Sequence, residues 1–168
     1  MEQGNGVWVP AYVGVGSNMG DSRARVRDAF AALAGLPQTR LIARSRLYRT
    51  RPFGPVPQGD FINAVAGLLT QLDAVALLEG LRGIESAAGR VRNERWGPRT
   101  LDLDLLVFGA GQLQTPELTV PHPGIPERGF VLAPLHDVAP TLEVPGAGRV
   151  EVLLRQLADD GIAEVIDA

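Results

Sequence analysis

The chain has no cysteine, and all sixteen of its basic side chains are arginine, so it has no lysine either. Without cysteine there are no disulfides, no thiolate catalysis and no cysteine-ligated zinc. Without lysine there is no Schiff-base chemistry and no P-loop lysine, so any phosphate must be held by guanidinium groups or metal. Aromatic residues number nine and histidines two. That scarcity of aromatics, with a net charge of -3, argues against a general nucleic-acid binder. No apolar run approaches the roughly 18 residues of a membrane span. The first ten residues have neither a basic start nor an apolar centre, so the chain reads as a soluble, cytoplasmic protein.

What is present is an ordinary globular composition in 168 residues, with 45% apolar and 21% charged side chains, enough for one domain with a proper core. Charge is unevenly spread. Residues 137–168 carry seven acids against two arginines, which leaves the first 136 residues at about +2. Arginines 40, 44, 46, 49 and 51 form one basic cluster, and 90, 92, 95 and 99 form another.

The second cluster opens the most informative stretch, R-V-R-N-E-R-W-G-P-R-T-L-D-L-D-L-L-V-F over residues 90–108. Residues 101–108 have the length and apolar content of a strand after a Gly-Pro pair. Side chains alternate along a strand, so Asp102 and Asp104 share one face while Leu101, Leu103 and Leu105 share the other. Aspartate is depleted in strands and is rarely buried without a partner. Two on one face repel unless a cation lies between them, and the hard cation that combines few carboxylates with substrate phosphates is magnesium. The neighbouring arginines offer planar, permanently charged forks for polyphosphate oxygens. Together they form a site for a magnesium-bound nucleoside triphosphate.

Periodicity places the motif in a fold. A strand is expected over residues 12–15. A helix from Ser22 follows, with Val26, Ala29, Phe30 and Leu33 on one face, ended by Gly35 and Pro37. Residues 41–48 are expected as one strand, 52–59 as a Pro- and Gly-rich loop, and 61–70 as another strand. Asp73 is the expected N-cap of a second helix that presents Leu77, Leu81, Ile84 and Ala88. A short helix from Arg128 and a last one over residues 150–158 complete the pattern. The order β-α-β-β-α-β predicts an α+β, ferredoxin-like sandwich: a mostly antiparallel sheet, two helices on one face, and C-terminal additions.

On residues alone, two other functions remain open: a two-metal phosphohydrolase, or a ferredoxin-like module whose arginines bind RNA. The hydrolase has no need of the aromatic and amide side chains of Phe61 and Asn63. The RNA module has no use for two aspartates that repel phosphate.

The motif G-R-V-R-N-E-R-W-G-P-R-T-L-D-L-D-L closely resembles the signature of the 6-hydroxymethyl-7,8-dihydropterin pyrophosphokinase family of folate biosynthesis. The resemblance extends from Tyr12 to about Pro140 through G-V-G-S-N-M-G, Y-R-T-R-P-F-G-P, D-F-I-N-A, L-T-V-P-H-P and E-R-G-F-V-L-A-P-L. It implies one pyrophosphokinase domain over residues 1–168, with its core at about 11–140. It implies transfer of pyrophosphate from ATP to a pterin hydroxymethyl group, with release of AMP and no nucleic-acid or membrane partner. By the same resemblance Asp102 and Asp104 hold two magnesium ions, and Arg90 and Arg99 are catalytic. Glu85, Arg92, Trp96, Leu105, Thr119, His122 and Arg128 contact ATP. Thr50, Phe53, Phe61, Asn63, Trp96 and Phe130 form the pterin pocket, with Phe53 at its lid. His136 matches no such position and reads as structural. The family often has a basic residue and a histidine near 124–126, where this chain has Gly124, Ile125 and Pro126.

Overall fold

The structure, a computed structural model, describes residues 6–52, 54–89 and 100–166. Its first strand, β1 (Val9–Ser17), buries Ala11, Val13 and Val15 completely or nearly so. Helix α1 (Ser22–Ala34) starts at Asp21, whose carboxylate accepts the Ala24 N–H at 3.2 Å and satisfies one of the first-turn donors. Val26, Ala29, Phe30 and Leu33 are its buried face, as their spacing predicts.

The single strand expected over residues 41–48 is instead two, β2 (Thr39–Arg44) and β3 (Leu47–Thr50). Ser45 causes the break. Its N–H donates to the Val65 carbonyl at 2.9 Å, while its hydroxyl accepts the Val65 N–H at 2.8 Å. A side chain thus replaces one rung of the backbone ladder, and the chain steps sideways between the two segments. Both pair with β4 (Phe61–Thr70), β2 along its second half and β3 along its start. Helix α2 (Ala74–Ala87) is capped by Asp73, which accepts the Ala76 N–H at 2.8 Å. The acidic strand follows as β5 (Asp102–Phe108).

The sheet order is β10-β3-β4-β1-β5, with β2 also on β4 and every pairing antiparallel. This is the ferredoxin-like arrangement. Helices α1 and α2 cover one face, where Phe30, Leu33, Leu77 and Leu81 pack with Val13, Val15, Leu103 and Leu105. The C-terminal additions comprise β6 (Leu113–Gln114), β7 (Thr119–Val120), a 3-10 turn at Ile125–Glu127, α3 (Gly129–Val138), β8 (Glu143–Val144), β9 (Gly148–Arg149), α4 (Val150–Gln156) and β10 (Ile162–Ile166). Of these, α3 and α4 cover the other face in a second core, β10 extends the sheet, and Leu118 and Val120 join the first core. Leu132 and Leu135 of α3 pack with Val65, Leu106 and Val107 in this second core. Strand β10 carries no clear apolar alternation and was not expected; it pairs with β3. A Cβ at Gly129 would run into the Asp160 backbone, so glycine there lets the segment leading to β10 cross the start of α3. Among the described residues no helix is long and apolar enough to cross a membrane.

Candidate active site

The alternation expected along β5 is realised. Leu101, Leu103 and Leu105 are at most 5% exposed beneath α1 and α2, while Asp102 and Asp104 are half-buried and line a cleft on the opposite face. Strand β1 places a glycine opposite each aspartate, Gly16 facing Asp102 and Gly14 facing Asp104. No side chain of β1 therefore stands beside either carboxylate. The entry to the strand is fixed by Ser17, whose hydroxyl donates to the Thr100 carbonyl at 2.6 Å. Its middle is held by Glu85 of α2, whose Oε2 accepts the Leu103 N–H at 2.8 Å.

The first cleft lies between the sheet and α3. Thr50, Phe61, Asn63, Arg128 and Phe130 line it together with both aspartates and both glycines. Asn63 donates from Nδ2 to the Thr50 hydroxyl at 2.7 Å, joining β4 to β3. A Cβ at Gly16 would lie 2.7 Å from Asn63 Oδ1, so glycine is what admits this amide. The Arg128 guanidinium sits 5.8 Å from the Phe130 ring centre, a cation–π distance. A flat, polar ring suits such walls: aromatic faces with a few amide and hydroxyl partners.

The second cleft lies along the outer edge of β5. Leu78, Arg82 and Glu85 of α2 form one wall, and Thr119, His122 and Pro123 another. Leu103, Asp104 and Leu105 form the floor, so Asp104 lines both clefts. His122 Nδ1 accepts the Gly124 N–H at 3.0 Å, which puts the proton of the neutral ring on Nε2. Burial lowers its pKa, the Arg128 charge lowers it further, and Asp102 pulls weakly the other way. His122 is thus a neutral Nε2–H donor at neutral pH.

The structure brings Asp102, Asp104, Thr50, Phe61, Asn63, Arg128 and Phe130 to one cleft, and Glu85, Leu105, Thr119 and His122 to the other. Arg90, Arg92, Trp96, Arg99 and Phe53 lie outside the described residues. His136 is in the last turn of α3, away from both clefts. Two features escaped the sequence reading. Glu85, a helix position usually left solvated, is only 4% exposed. Arg51 joins the first cleft, and its N–H and guanidinium are tied to Gly161 and Asp159 at 3.0 and 2.6 Å. The signal for Glu85 was its spacing, four residues after Leu81 on the buried face.

The departure at residues 124–126 also has a physical account. A Cβ at Gly124 would lie 2.6 Å from Arg128 Nε, so glycine makes room for the guanidinium. Ile125 is fully buried in the second core. Its apolar side chain anchors the turn that precedes Arg128.

Fold and site together define a ferredoxin-like α+β protein in which two clefts meet at a strand bearing paired aspartates. The model of the 7,8-dihydro-6-hydroxymethylpterin-pyrophosphokinase (HPPK) family matches residues 12–140, and the chain belongs to that family. It is 47% identical over 151 residues to a 2-amino-4-hydroxy-6-hydroxymethyldihydropteridine pyrophosphokinase of Pseudomonas aeruginosa, covering 90% of this chain and 93% of the relative. A protein of the same name from Methylorubrum extorquens is 43% identical over 92% of this chain and 98% of its own. Among solved structures, Plasmodium falciparum HPPK-DHPS with pteroate superposes with a TM-score of 0.73 at 14% identity. That match covers 93% of this chain and 43% of the larger protein, and at such identity it speaks for the fold.

Proposed function

We propose that the chain transfers the pyrophosphoryl group of ATP to the hydroxymethyl oxygen of 6-hydroxymethyl-7,8-dihydropterin, releasing AMP, within folate biosynthesis. The supporting observation is the meeting of the two clefts at Asp104. A pterin among Phe61, Asn63, Thr50 and Phe130, and a nucleotide along Glu85, Leu105, Thr119 and His122, would have their reacting ends there. Membership of the family, and the names its relatives carry, point to the same substrates.

The donor set fits magnesium. Two carboxylates share one strand face, and among the described residues no cluster of three or more His, Asp or Glu forms a complete metal cage. Magnesium is commonly held in this way, by one or two carboxylates together with substrate phosphates. Asp102 and Asp104 would hold two ions, which when bound neutralise charge on the phosphoryl oxygens.

The remaining work is binding and orientation. Arg128 stands over Phe130 at the edge of the first cleft and would direct its guanidinium at phosphate oxygens. Arg90 and Arg99 would grip the transferring group, with Arg92 as a further phosphate contact. Trp96 would serve both substrates, and Phe53 would close over the pterin. His122 would donate from Nε2 to the nucleotide. Positioning and electrostatic stabilisation suffice for phosphoryl transfer, so no dedicated general base is assigned. The chain is read as one catalytic domain acting in the cytoplasm on two small molecules, without nucleic-acid or membrane partners.

Release of AMP from ATP, measured with and without hydroxymethyldihydropterin, tests the assignment. AMP formed in proportion to added pterin supports it. Nucleotide hydrolysis that ignores the pterin, or no turnover at saturating magnesium, overturns it.

A further inference from the structure

Strand β5 is an edge strand, paired with β1 on one side. In an antiparallel pair alternate N–H groups point away from the partner, and on an edge strand they need water or another acceptor. The Leu103 N–H has found one in Glu85 Oε2 at 2.8 Å. This acceptor is costly to place. Glu85 is 4% exposed, on the same buried face of α2 as Leu77 and Leu81, where an apolar residue would ordinarily stand. Burying a carboxylate is unfavourable unless hydrogen bonds compensate.

The location of the bond gives it a meaning. Leu103 lies between Asp102 and Asp104, and its N–H belongs to the peptide joining Asp102 to Leu103. A peptide unit is planar, so holding that N–H fixes the plane that carries the Asp102 and Leu103 Cα atoms, and Asp104 follows one residue on along the same strand. Ser17 pins the chain two peptides earlier, at the Thr100 carbonyl. Without the Glu85 bond, this edge strand could shift or twist locally while its leucines stayed buried.

We propose that Glu85 is a positioning residue: through the Leu103 peptide it sets the direction and separation of the Asp102 and Asp104 carboxylates for the divalent cations that accompany the triphosphate. This rests on the function proposed above. It gives Glu85 a task distinct from contacting the nucleotide.

Two variants separate acceptor from charge. Glu85→Gln keeps an oxygen acceptor at the same reach and removes the charge, whereas Glu85→Leu keeps the bulk and removes the acceptor. The first measurement is a calorimetric magnesium titration of protein saturated with a non-hydrolysable ATP analogue. The second is amide hydrogen exchange at Leu103 in the ligand-free protein. Glu85→Leu should weaken magnesium binding by about 10- to 100-fold, the range typical of groups that orient metal ligands, and should accelerate exchange at Leu103. Glu85→Gln should keep exchange at Leu103 near wild type and bind magnesium more tightly than Glu85→Leu. A Gln variant as impaired as Leu, or a folded Leu variant with wild-type magnesium binding, overturns the proposal. If the Leu variant fails to fold, the Gln titration and the wild-type amide decide: Leu103 exchanging as fast as a solvent-exposed amide overturns it. Neither measurement involves turnover, so a failure of the pyrophosphoryl-transfer assay is distinguishable from a failure here.

Discussion

Asn63 donates its amide to the Thr50 hydroxyl at 2.7 Å across the β3–β4 pair. Thr50 is 1% exposed and Asn63 half-buried, so the bond fixes two polar side chains at the inner end of the first cleft. Thr50 acts as acceptor in it, which leaves its own hydroxyl hydrogen to donate.

Thr50→Val should therefore weaken pterin binding specifically. It keeps the branched shape but leaves the Asn63 donor unpaired, a loss of about 1–3 kcal/mol. KM for the pterin should rise by roughly tenfold or more, while KM for ATP stays unchanged. Equal rises in both constants would show that the bond supports the whole site rather than the pterin end.

Gly16→Ala makes a related test from the other strand. The new methyl group would press on Asn63 Oδ1 and turn the amide away from Thr50. Overpacking of this kind costs about 1–3 kcal/mol. Thermal stability should fall modestly and pterin affinity sharply. Isothermal titration with the pterin in the presence of a non-hydrolysable ATP analogue reads the second effect directly.

Asp102→Ala and Asp104→Ala should each abolish turnover and leave the fold intact. Two like charges on one strand face repel when no cation is bound. Melting temperatures of the metal-free variants should hold or rise. Near wild-type activity in either variant at saturating magnesium would remove the assignment of both aspartates.

The two arginine clusters should behave differently. Arg40 stacks 4.7 Å from the Trp8 ring centre and Arg44 lies 5.8 Å from that of Phe30, so both support packing. Arg90→Ala or Arg99→Ala should cost orders of magnitude in turnover, since one lost donor to transition-state charge is worth about 3 kcal/mol. Arg40→Ala and Arg44→Ala should alter stability more than rate. Lysine at position 99 should rescue only in part, because a point charge cannot bind two oxygens in a plane.

Stability should also depend on pH through a triad that ties β3 to the end of α3. The Tyr48 hydroxyl donates to Asp137 at 2.8 Å, and the Arg46 guanidinium donates to the same carboxylate at 3.0 and 3.2 Å. Burial first, then the bond to Asp137, pushes the Tyr48 pKa up to about 12 from 10.0. A folded-state pKa above the unfolded one gives stability that is complete below pH 10 and lost as pH rises toward 12. Burial would raise the Asp137 pKa, but the hydrogen bonds from Arg46 and Tyr48 outweigh it and hold it below 3.8. That contribution is present above the unfolded value and lost as pH falls through the lower folded one. Denaturant unfolding of Tyr48→Phe against wild type should converge between pH 10 and 12. A constant difference across that window would exclude the linkage.

Much was legible along the chain because it depends on local spacing. The buried face of α1 follows from residues three and four apart, and the sorting of Asp102 and Asp104 from Leu103 and Leu105 follows from strand alternation. Caps at Asp21 and Asp73 act within three residues of sequence. Resemblance along the motifs added the substrates and the roles. Tertiary structure decided what depends on segments distant in sequence. Ser45 breaks a strand because Val65 happens to lie opposite, and β10 exists because the edge of β3 offers partners that a five-residue segment of mixed exposure could not find locally. The spacing of Glu85 from Leu81 puts it on the buried face of α2 but does not say why a carboxylate stands there. Its meaning comes from the Leu103 N–H, eighteen residues further on, which the edge of a sheet leaves without a strand partner. Sequence periodicity records which face of an element is apolar; only the folded chain decides which polar groups that burial strands and which side chains must answer them.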